Sequence, residues 1–447
     1  MKAKAIDLTT GSPGKGLLIF ALPMILGNLF QQFYNMVDTI IVGKYVGQDA
    51  LAAVGASYSL TTVFVMIAIG GGTGASVVIS QFLGAKENSK MKTAVSTAML
   101  SFLVVSILLG GIGIAYHVRI LQALGTPDNI MTDAAMYLRI YFMGLPFLFM
   151  YNVLASIFNA LGDSKTSLYF LIFSSVLNIF FDLYAVRILN MGVAGVAIAT
   201  VIAQGIAAVL SFLVLLKKLR AYDGKGRFFD SKTLKKMVIV AIPSIIQQSI
   251  VSIGMLLVQS VVNGFGSAVL AGYTAAMRLE SICIVPMISM GNAVSTFTAQ
   301  NMGAGQTERV RKGYRASYRI IVAFAVVICV ILLLFKHPLI QLFMEEGASG
   351  EAFETGVSYL SFIAYFFVFI GLKASTDGVL RGAGDVLVFT IANLMNLAFR
   401  VSFAFLMTPV IGVQAVWMAV PVGWVINYVI SGMRYLTGQW CRKNLVQ

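Results

Sequence analysis

The chain has 447 residues, is 58% hydrophobic and carries only 11% charged residues, with a net charge of +14. A soluble domain carries about 25% charged residues, so this composition excludes an ordinary water-soluble fold. Apolar runs of about twenty residues or more recur along the whole length, and such runs need lipid as their solvent.

In lipid, only helices and closed barrels satisfy the backbone. The runs are too long, and too rich in Leu, Ile, Val and Ala, for alternating barrel strands. Residues 1–16 are polar and the first apolar run is a full span, so no cleavable signal peptide is expected. Twelve spans are predicted in chain order. The first six are 16–42, 50–80, 92–116, 131–158, 165–186 and 192–217. After a polar stretch come 236–262, 268–300, 316–336, 355–379, 386–408 and 412–436. Gly43 to Asp49, Gly125-Thr-Pro-Asp128 and Asn190-Met-Gly192 punctuate the first half. The stretch 217–236 is dense in charge and reads as a solvated linker.

The second half repeats the first. The segment SVVISQFLGA at 76–85 returns as STFTAQNMGA at 295–304, an offset of 219 residues. Pro23 matches Pro243 and Gly192-Val193 matches Gly412-Val413 at 220, while Asn159-Ala-Leu-Gly-Asp163 matches Arg381-Gly-Ala-Gly-Asp385 at 222. Gly47 and Leu51 match Gly266 and Leu270. The expected organisation is therefore an N-terminal six-helix bundle (1–216), a cytoplasmic linker (217–236) and a C-terminal six-helix bundle (237–447). Six spans per half give both halves one orientation, so an all-α integral membrane fold with a pseudo-twofold axis along the membrane normal is expected. Internal duplication in a hydrophobic chain is the mark of a transporter that alternates access between two halves.

Basic residues choose the orientation. With the N-terminus in the cytoplasm, 24 Lys and Arg fall in inside segments and five outside, namely Lys44, Arg119, Arg139, Arg187 and Lys336. The positive-inside rule then places both termini and the linker in the cytoplasm. Glu345, Glu346, Glu351 and Glu354 fall outside. The basic excess is a topology signal and a contact for the bilayer's anionic headgroups, and no nucleic-acid partner is expected.

A carboxylate at mid-bilayer costs about 2.5–3.5 kcal/mol on insertion scales, so each acid inside a span needs a partner or a task. Asp38, Asp182 and Glu280 are the acids concerned; Asp377 lies near the cytoplasmic end of span ten, within reach of water. Asp38 precedes Lys44 by six residues and Asp182 precedes Arg187 by five, which puts both acids at one depth below the outer boundary. Asn178 is one turn deeper on the Asp182 face, and Thr200 lies at a similar depth in span six. Two carboxylates, an amide oxygen and a hydroxyl can replace part of the water shell of sodium. The same pair of acids can share a proton instead. The plainer alternative is that both acids are structural and hydrogen-bond neighbouring helices.

Other polar positions are candidates for a substrate cavity or for gating: Gln31, Tyr34 and Asn35 in span one, Pro23 as a bend, and Arg278 with Glu280 in span eight. Arg278 and Glu280 are two apart and face different directions on a helix. Glu280 has Lys373 or Arg400 as the only cations at its level. Cys283, Cys329 and Cys441 lie far apart with no metal spacing. Gly70-Gly-Gly72 lacks the Lys-Ser/Thr of a phosphate loop and reads as close helix packing. His117 and His337 are too few for a catalytic cluster, so no enzyme and no cofactor is expected.

Pro23-x4-Asn28 leading to Asp38-x4-Gly43, the SQFLGA and AQNMGAG copies, the NALGDSKTS and RGAGDV copies, and Arg278-Leu-Glu280 before Pro286 together resemble the multidrug and toxic compound extrusion (MATE) family. The resemblance covers the whole chain, nearest to the bacterial branch of drug-efflux and damage-inducible members. It implies two six-helix bundles forming a V, a monomer, and antiport in which small organic cations leave as Na+ or H+ enters. It implies that Asp38, Asn178, Asp182 and Thr200 form the cation site, binding Na+ if sodium is the coupling ion. Some members carry an acid in helix seven; this chain has Gln247, Gln248 and Gln259 there instead, which favours an N-terminal site. The competing expectation is a flippase for lipid-linked saccharides, whose pyrophosphate calls for several basic residues in the spans. Only Arg278, Lys373 and Arg400 qualify.

Overall fold

Without water to bond to, the apolar runs close their own backbone hydrogen bonds as helices. The computed structural model describes residues 5–344 and 349–445. Lys2, Lys4, Glu345 and Glu346 of the loop-charge argument, and the last two residues of the chain, lie outside the described residues.

The first half comprises α1 (Pro13–Ile41), a π-helical turn (Val42–Val46), α2 (Gln48–Gly84), α3 (Asn88–Ala123), α4 (Asp128–Ala160), α5 (Ser164–Arg187) and α6 (Gly192–Leu219). The second comprises α7 (Ser231–Asn263), α8 (Ser267–Cys283), α9 (Val285–Gly303), α10 (Thr307–Leu342), α11 (Gly350–Ala364), α12 (Phe367–Ala383), α13 (Val386–Ile411), α14 (Gln414–Leu436) and a 3-10 turn (Gln439–Arg442). α8 and α9 are consecutive pieces of one span, Ser267–Gly303. α11 and α12 meet at 51° and together make another, which brings the count among the described residues to twelve.

The tenth span is thus bent where the sequence suggests a straight run over 355–379. No proline sits at the break; i to i+3 bonds, Phe366 N to Ile363 O and Phe369 N to Phe366 O at 2.9 Å each, tighten the chain there. α3 and α10 begin earlier than the expected 92 and 316, at Asn88 and Thr307. Charged first turns that read as loop are helical, because a helix can run past the hydrocarbon into water.

The chain packs as two compact units, one comprising Leu26–Ile245 and the other Ile6–Ile25 with Ile246 onward. This division differs from cuts at 216 and 237. The first turns of α1 pack with the second-half helices, while the linker and the first turns of α7 pack with the first-half helices. Both changes of unit fall two residues after a matched proline, Pro23 and Pro243.

In the first unit α4 packs against α2, α3 and α6, and its Leu138, Phe142, Leu145 and Phe149 form a core with Ala53, Ala68 and Leu121. Phe64 meets Phe142 edge-on at 5.2 Å between ring centroids. In the second unit α12 packs on α9 and α14, and α13 on α14. Outward faces are apolar: Val326, Val330 and Leu334 of α10 are 56%, 49% and 71% exposed, as a lipid-facing stripe requires.

The linker is exposed along most of 221–229, as its charge density suggests, but it is tethered to α3. Lys92 Nζ donates to the carbonyls of Tyr222 (2.6 Å) and Gly224 (2.9 Å), and Ser96 Oγ donates to Arg227 O at 2.9 Å. Arg227 N and Asp230 N donate in turn to the hydroxyls of Thr93 (2.9 Å) and Thr97 (3.1 Å). Thr93, Ser96 and Thr97 are spaced three and four apart, so one face of α3 straps the segment that feeds α7. The segment that feeds α1 is held the same way in the second unit. Leu8, 1% exposed, accepts at its carbonyl from Asn301 Nδ2 (3.1 Å) and Arg309 Nε (3.2 Å), and Arg309 also reaches Thr10 O and Gly11 O.

The paired Gly-Asp motifs are helix starts. Gly162 and Gly384 adopt φ of +78° and +90°, a left-handed turn that a Cβ would disfavour. Asp163 then caps α5 by accepting from Thr166 N at 3.2 Å and pairs with Lys218, while Asp385 accepts from Arg434 Nε at 2.6 Å. Each repeat thereby ties the start of its fifth span to the end of its sixth.

Candidate functional site

Helical spacing assembles the polar cluster of the first unit. Tyr34 and Asp38 are one turn apart on α1, Asn178 and Asp182 one turn apart on α5, and Thr200 projects from α6. The Asn178 amide is satisfied in one orientation. Its nitrogen donates to Asp182 Oδ2 at 3.0 Å and to the Tyr34 hydroxyl, and its oxygen accepts from Thr200 Oγ1 at 3.2 Å. Thr200 Oγ1 also lies 3.1 Å from Val196 O in its own helix. Asp182 is fully buried and Asn178 is 3% exposed.

The Asp38 and Asp182 carboxyls are neighbours within electrostatic reach of each other. Two ionised carboxylates have no donor to offer each other, so such a pair calls for a shared proton or a bound cation. Each acid keeps one buried oxygen, Oδ1, with no hydrogen-bond partner among the described residues. Two unsatisfied acceptor oxygens, an amide oxygen and a hydroxyl are the ligand chemistry of a proton or of a hard monovalent cation. Four residues beyond Asp38 the helix widens into the π turn, closed by Gly47 N donating to Val42 O at 3.2 Å. π turns inside helices occur frequently at functional sites.

Of the sequence candidates, Asp38, Asn178, Asp182, Thr200 and Tyr34 are brought together. Gln31 and Asn35 are not. Gln31 Nε2 donates to Asn35 Oδ1 at 3.0 Å on a more exposed neighbouring stripe of α1. Pro23 is buried fifteen residues before Asp38, in the part of α1 that packs with the second unit. Arg278 is exposed, whereas Glu280 is 4% exposed and accepts from Tyr359 Oη at 2.5 Å. Lys373 does not serve Glu280; its Nζ lies 3.4 Å from Asp377 Oδ2. Arg400 lies in the field of Glu280 with its Nε buried and unpartnered among the described residues. Asp377, expected to be wet, is 2% exposed, because α13 and α14 cover it with Asn393 and Ser431.

Tyr137 of α4 was not among the sequence candidates. Its hydroxyl lies in the field of both Asp38 and Asp182. The repeat held the signal: Tyr137 and Tyr359 are 222 residues apart, and each faces the buried acid of its own unit.

A duplicated twelve-span helical fold with two acids paired inside the spans of one unit points to a membrane-transport class. The MatE family model matches residues 23–184 and again 243–406, one match per repeat. The probable multidrug resistance protein YpnP of Bacillus subtilis (strain 168) is 30% identical over 98% of both chains. The probable multidrug resistance protein YoeA of the same organism is 29% identical over 97% of this chain and 95% of its own. A solved structure described as the outward-facing conformation of a multidrug resistance MATE family transporter of the MOP superfamily aligns over 98% of both chains, with a TM-score of 0.89 and 24% identity. The chain belongs to the MATE family and is an integral membrane protein.

Proposed function

We propose that this chain is a secondary antiporter that exports small organic cations in exchange for Na+ or H+, with the ion bound between α1, α5 and α6. The carrying observation is the pair of half-buried Asp38 and buried Asp182, the latter joined to Asn178 and through it to Thr200, with one buried, unpartnered oxygen on each acid among the described residues. A Na+ or H+ arriving there binds between the two acids and changes the bonds between three helices at once. That differential contact lets an ion gradient shift a conformational equilibrium. The named relatives support drug export as the direction of transport. The flippase alternative draws little support from the basic residues within the spans: Lys373 is engaged by Asp377, and Arg400 is set against Glu280.

Reconstitution in proteoliposomes with sodium and pH gradients imposed separately tests this reading. Efflux of a fluorescent organic cation under one of the two gradients is expected; efflux under neither rejects the proposal. Orientation is a separate matter: 24 inside against five outside basic residues put the linker in the cytoplasm. A Lys225→Cys variant should resist an impermeant thiol reagent in intact cells and label after permeabilisation; ready labelling in intact cells reverses the topology.

A further inference from the structure

The second unit contains a polar cluster that the reading above does not use. On α12, Lys373 and Asp377 are one turn apart with Nζ to Oδ2 at 3.4 Å. From α13, Asn393 Oδ1 accepts from Lys373 Nζ at 3.2 Å and its Nδ2 donates to Asp377 Oδ2 at 3.3 Å. From α14, Ser431 Oγ donates to Asp377 Oδ1 at 2.7 Å and lies 3.4 Å from Asn427 Oδ1. All five residues are buried, with Asn427 and Ser431 fully so. The Asn427 Nδ2 is orphaned among the described residues.

This cluster is not demanded by the fold. At the repeat offset of 222, Lys373, Asp377 and Asn393 correspond to Tyr151, Ala155 and Leu171; at 220, Asn427 corresponds to Ala207. The first unit keeps only the serine, Ser211 at the place of Ser431, and has no charge or amide at the other four positions. Acids and amines inside membrane helices are costly and mark function more often than architecture. The remaining cation nearby, Arg381, is committed elsewhere: its Nε and NH2 donate to Ser295 Oγ (3.2 Å) and Asn292 Oδ1 (2.8 Å).

The oxygen set is the telling part. One carboxylate, amide oxygens and a hydroxyl converge from three helices, the same classes of ligand that Asp182, Asn178 and Thr200 present in the first unit. A compact monovalent cation suits such oxygens, and the position beside them is taken by an ammonium group. We propose that α12, α13 and α14 build a monovalent-cation cage in the second unit and that the Lys373 ammonium is its resident, tethered cation. The tether keeps this cage filled throughout the cycle, so free driving ions enter through the first unit alone.

Removing the tether should open the cage to sodium. In an Asp38→Asn background, which silences the first unit, saturable binding of radioactive sodium is expected to be absent. Adding Lys373→Met should restore it, and adding Asp377→Asn to that should remove it again. Absence of saturable binding in the Lys373→Met variant overturns the proposal, as does binding that survives Asp377→Asn. Yield of folded Lys373→Met protein, prepared throughout in sodium or throughout in N-methylglucamine, is a second readout. Higher yield in sodium is expected; equal yield in both, including none in both, also overturns it. A purely structural ion pair predicts that second outcome. The comparison of Asp38→Asn with the parent reports on the first unit only, so failure of the cage leaves the antiport reading standing.

Discussion

The two units carry the same frame and opposite electrostatics. Where the first unit has Asp38, Asn178, Asp182 and Thr200, the second has Val258, Arg400, Ala404 and Val420 at offsets of 220 or 222. Both units keep the tyrosine that faces the cluster, Tyr137 and Tyr359, and both keep the Gly-Asp helix start. The acids differ in how they are satisfied. In the first unit two carboxyls share one neighbourhood and each leaves an oxygen free. In the second, Glu280 is bonded to Tyr359 and Asp377 to Lys373, Asn393 and Ser431. Duplication supplied a common frame, and divergence left a pair of acids with free oxygens in one copy, the copy that the proposed reading assigns the coupling ion.

The comparison breaks most sharply at Asp38. Truncating one partner of a hydrogen-bonded charge pair costs roughly 2–5 kcal/mol of binding, so Asp38→Asn should weaken coupling-ion binding by about 30-fold or more. Gradient-driven efflux should be lost while the protein remains folded. Asp182→Asn should behave nearly the same. Wild-type efflux in both variants contradicts the asymmetry between the units.

In the second unit the effects should fall on stability. Tyr359→Phe strips Glu280 of its donor; a hydrogen bond to a charged group is worth about 1.5–3 kcal/mol. Thermal unfolding of the purified protein should shift down by a corresponding amount, with ion affinity unchanged. A change in ion affinity without loss of stability assigns the second unit a direct role in ion binding.

Much of this was legible in the sequence because helix periodicity and depth arithmetic are one-dimensional. Asp38 and Asp182 could be placed at one level from Lys44 and Arg187 alone. The partners of Glu280 and Asp377 were not legible. Tyr359, Asn393 and Ser431 lie on other helices, and which faces meet is decided by packing rather than spacing. The solvation of the linker was legible, but its tether was not. Its charge density signals solvation, but its backbone is bonded by Thr93, Ser96 and Thr97, which read as ordinary small residues of a membrane helix. Gln31 and Asn35, candidates for the substrate cavity or for gating, bond each other on a neighbouring stripe of α1, a pairing that their i, i+4 spacing permits.

Smaller effects sharpen the picture of the straps. Thr97→Val removes one hydrogen bond to the linker, worth about 1 kcal/mol. Limited proteolysis between residues 220 and 230 should speed up several-fold with transport nearly unchanged. Unaltered cleavage indicates that the strap is not holding the segment.

The smallest expected effect concerns Asp230, which caps α7. The Thr233 hydroxyl and backbone N–H, donating at 2.5 and 2.8 Å, hold its carboxyl below the usual carboxylate range. A carboxyl depressed in the folded state stabilises above its unfolded pKa of about 3.9, and the contribution is lost as pH falls through the lower folded value. Asp230→Ala should therefore slightly lower stability at neutral pH, with the difference from the parent shrinking in acid. A difference independent of pH removes the carboxylate from the explanation.

The most direct test of the central claim is coupling-ion movement evoked by substrate. Proteoliposomes loaded with the ion, with no imposed gradient, are exposed to an organic cation, and ion flux is followed in parent, Asp38→Asn and Arg400→Gln proteins. Substrate-evoked flux that persists in Arg400→Gln, even at reduced rate, and vanishes in Asp38→Asn is the result predicted by an ion site in the first unit alone. Flux retained in Asp38→Asn and lost in Arg400→Gln contradicts it.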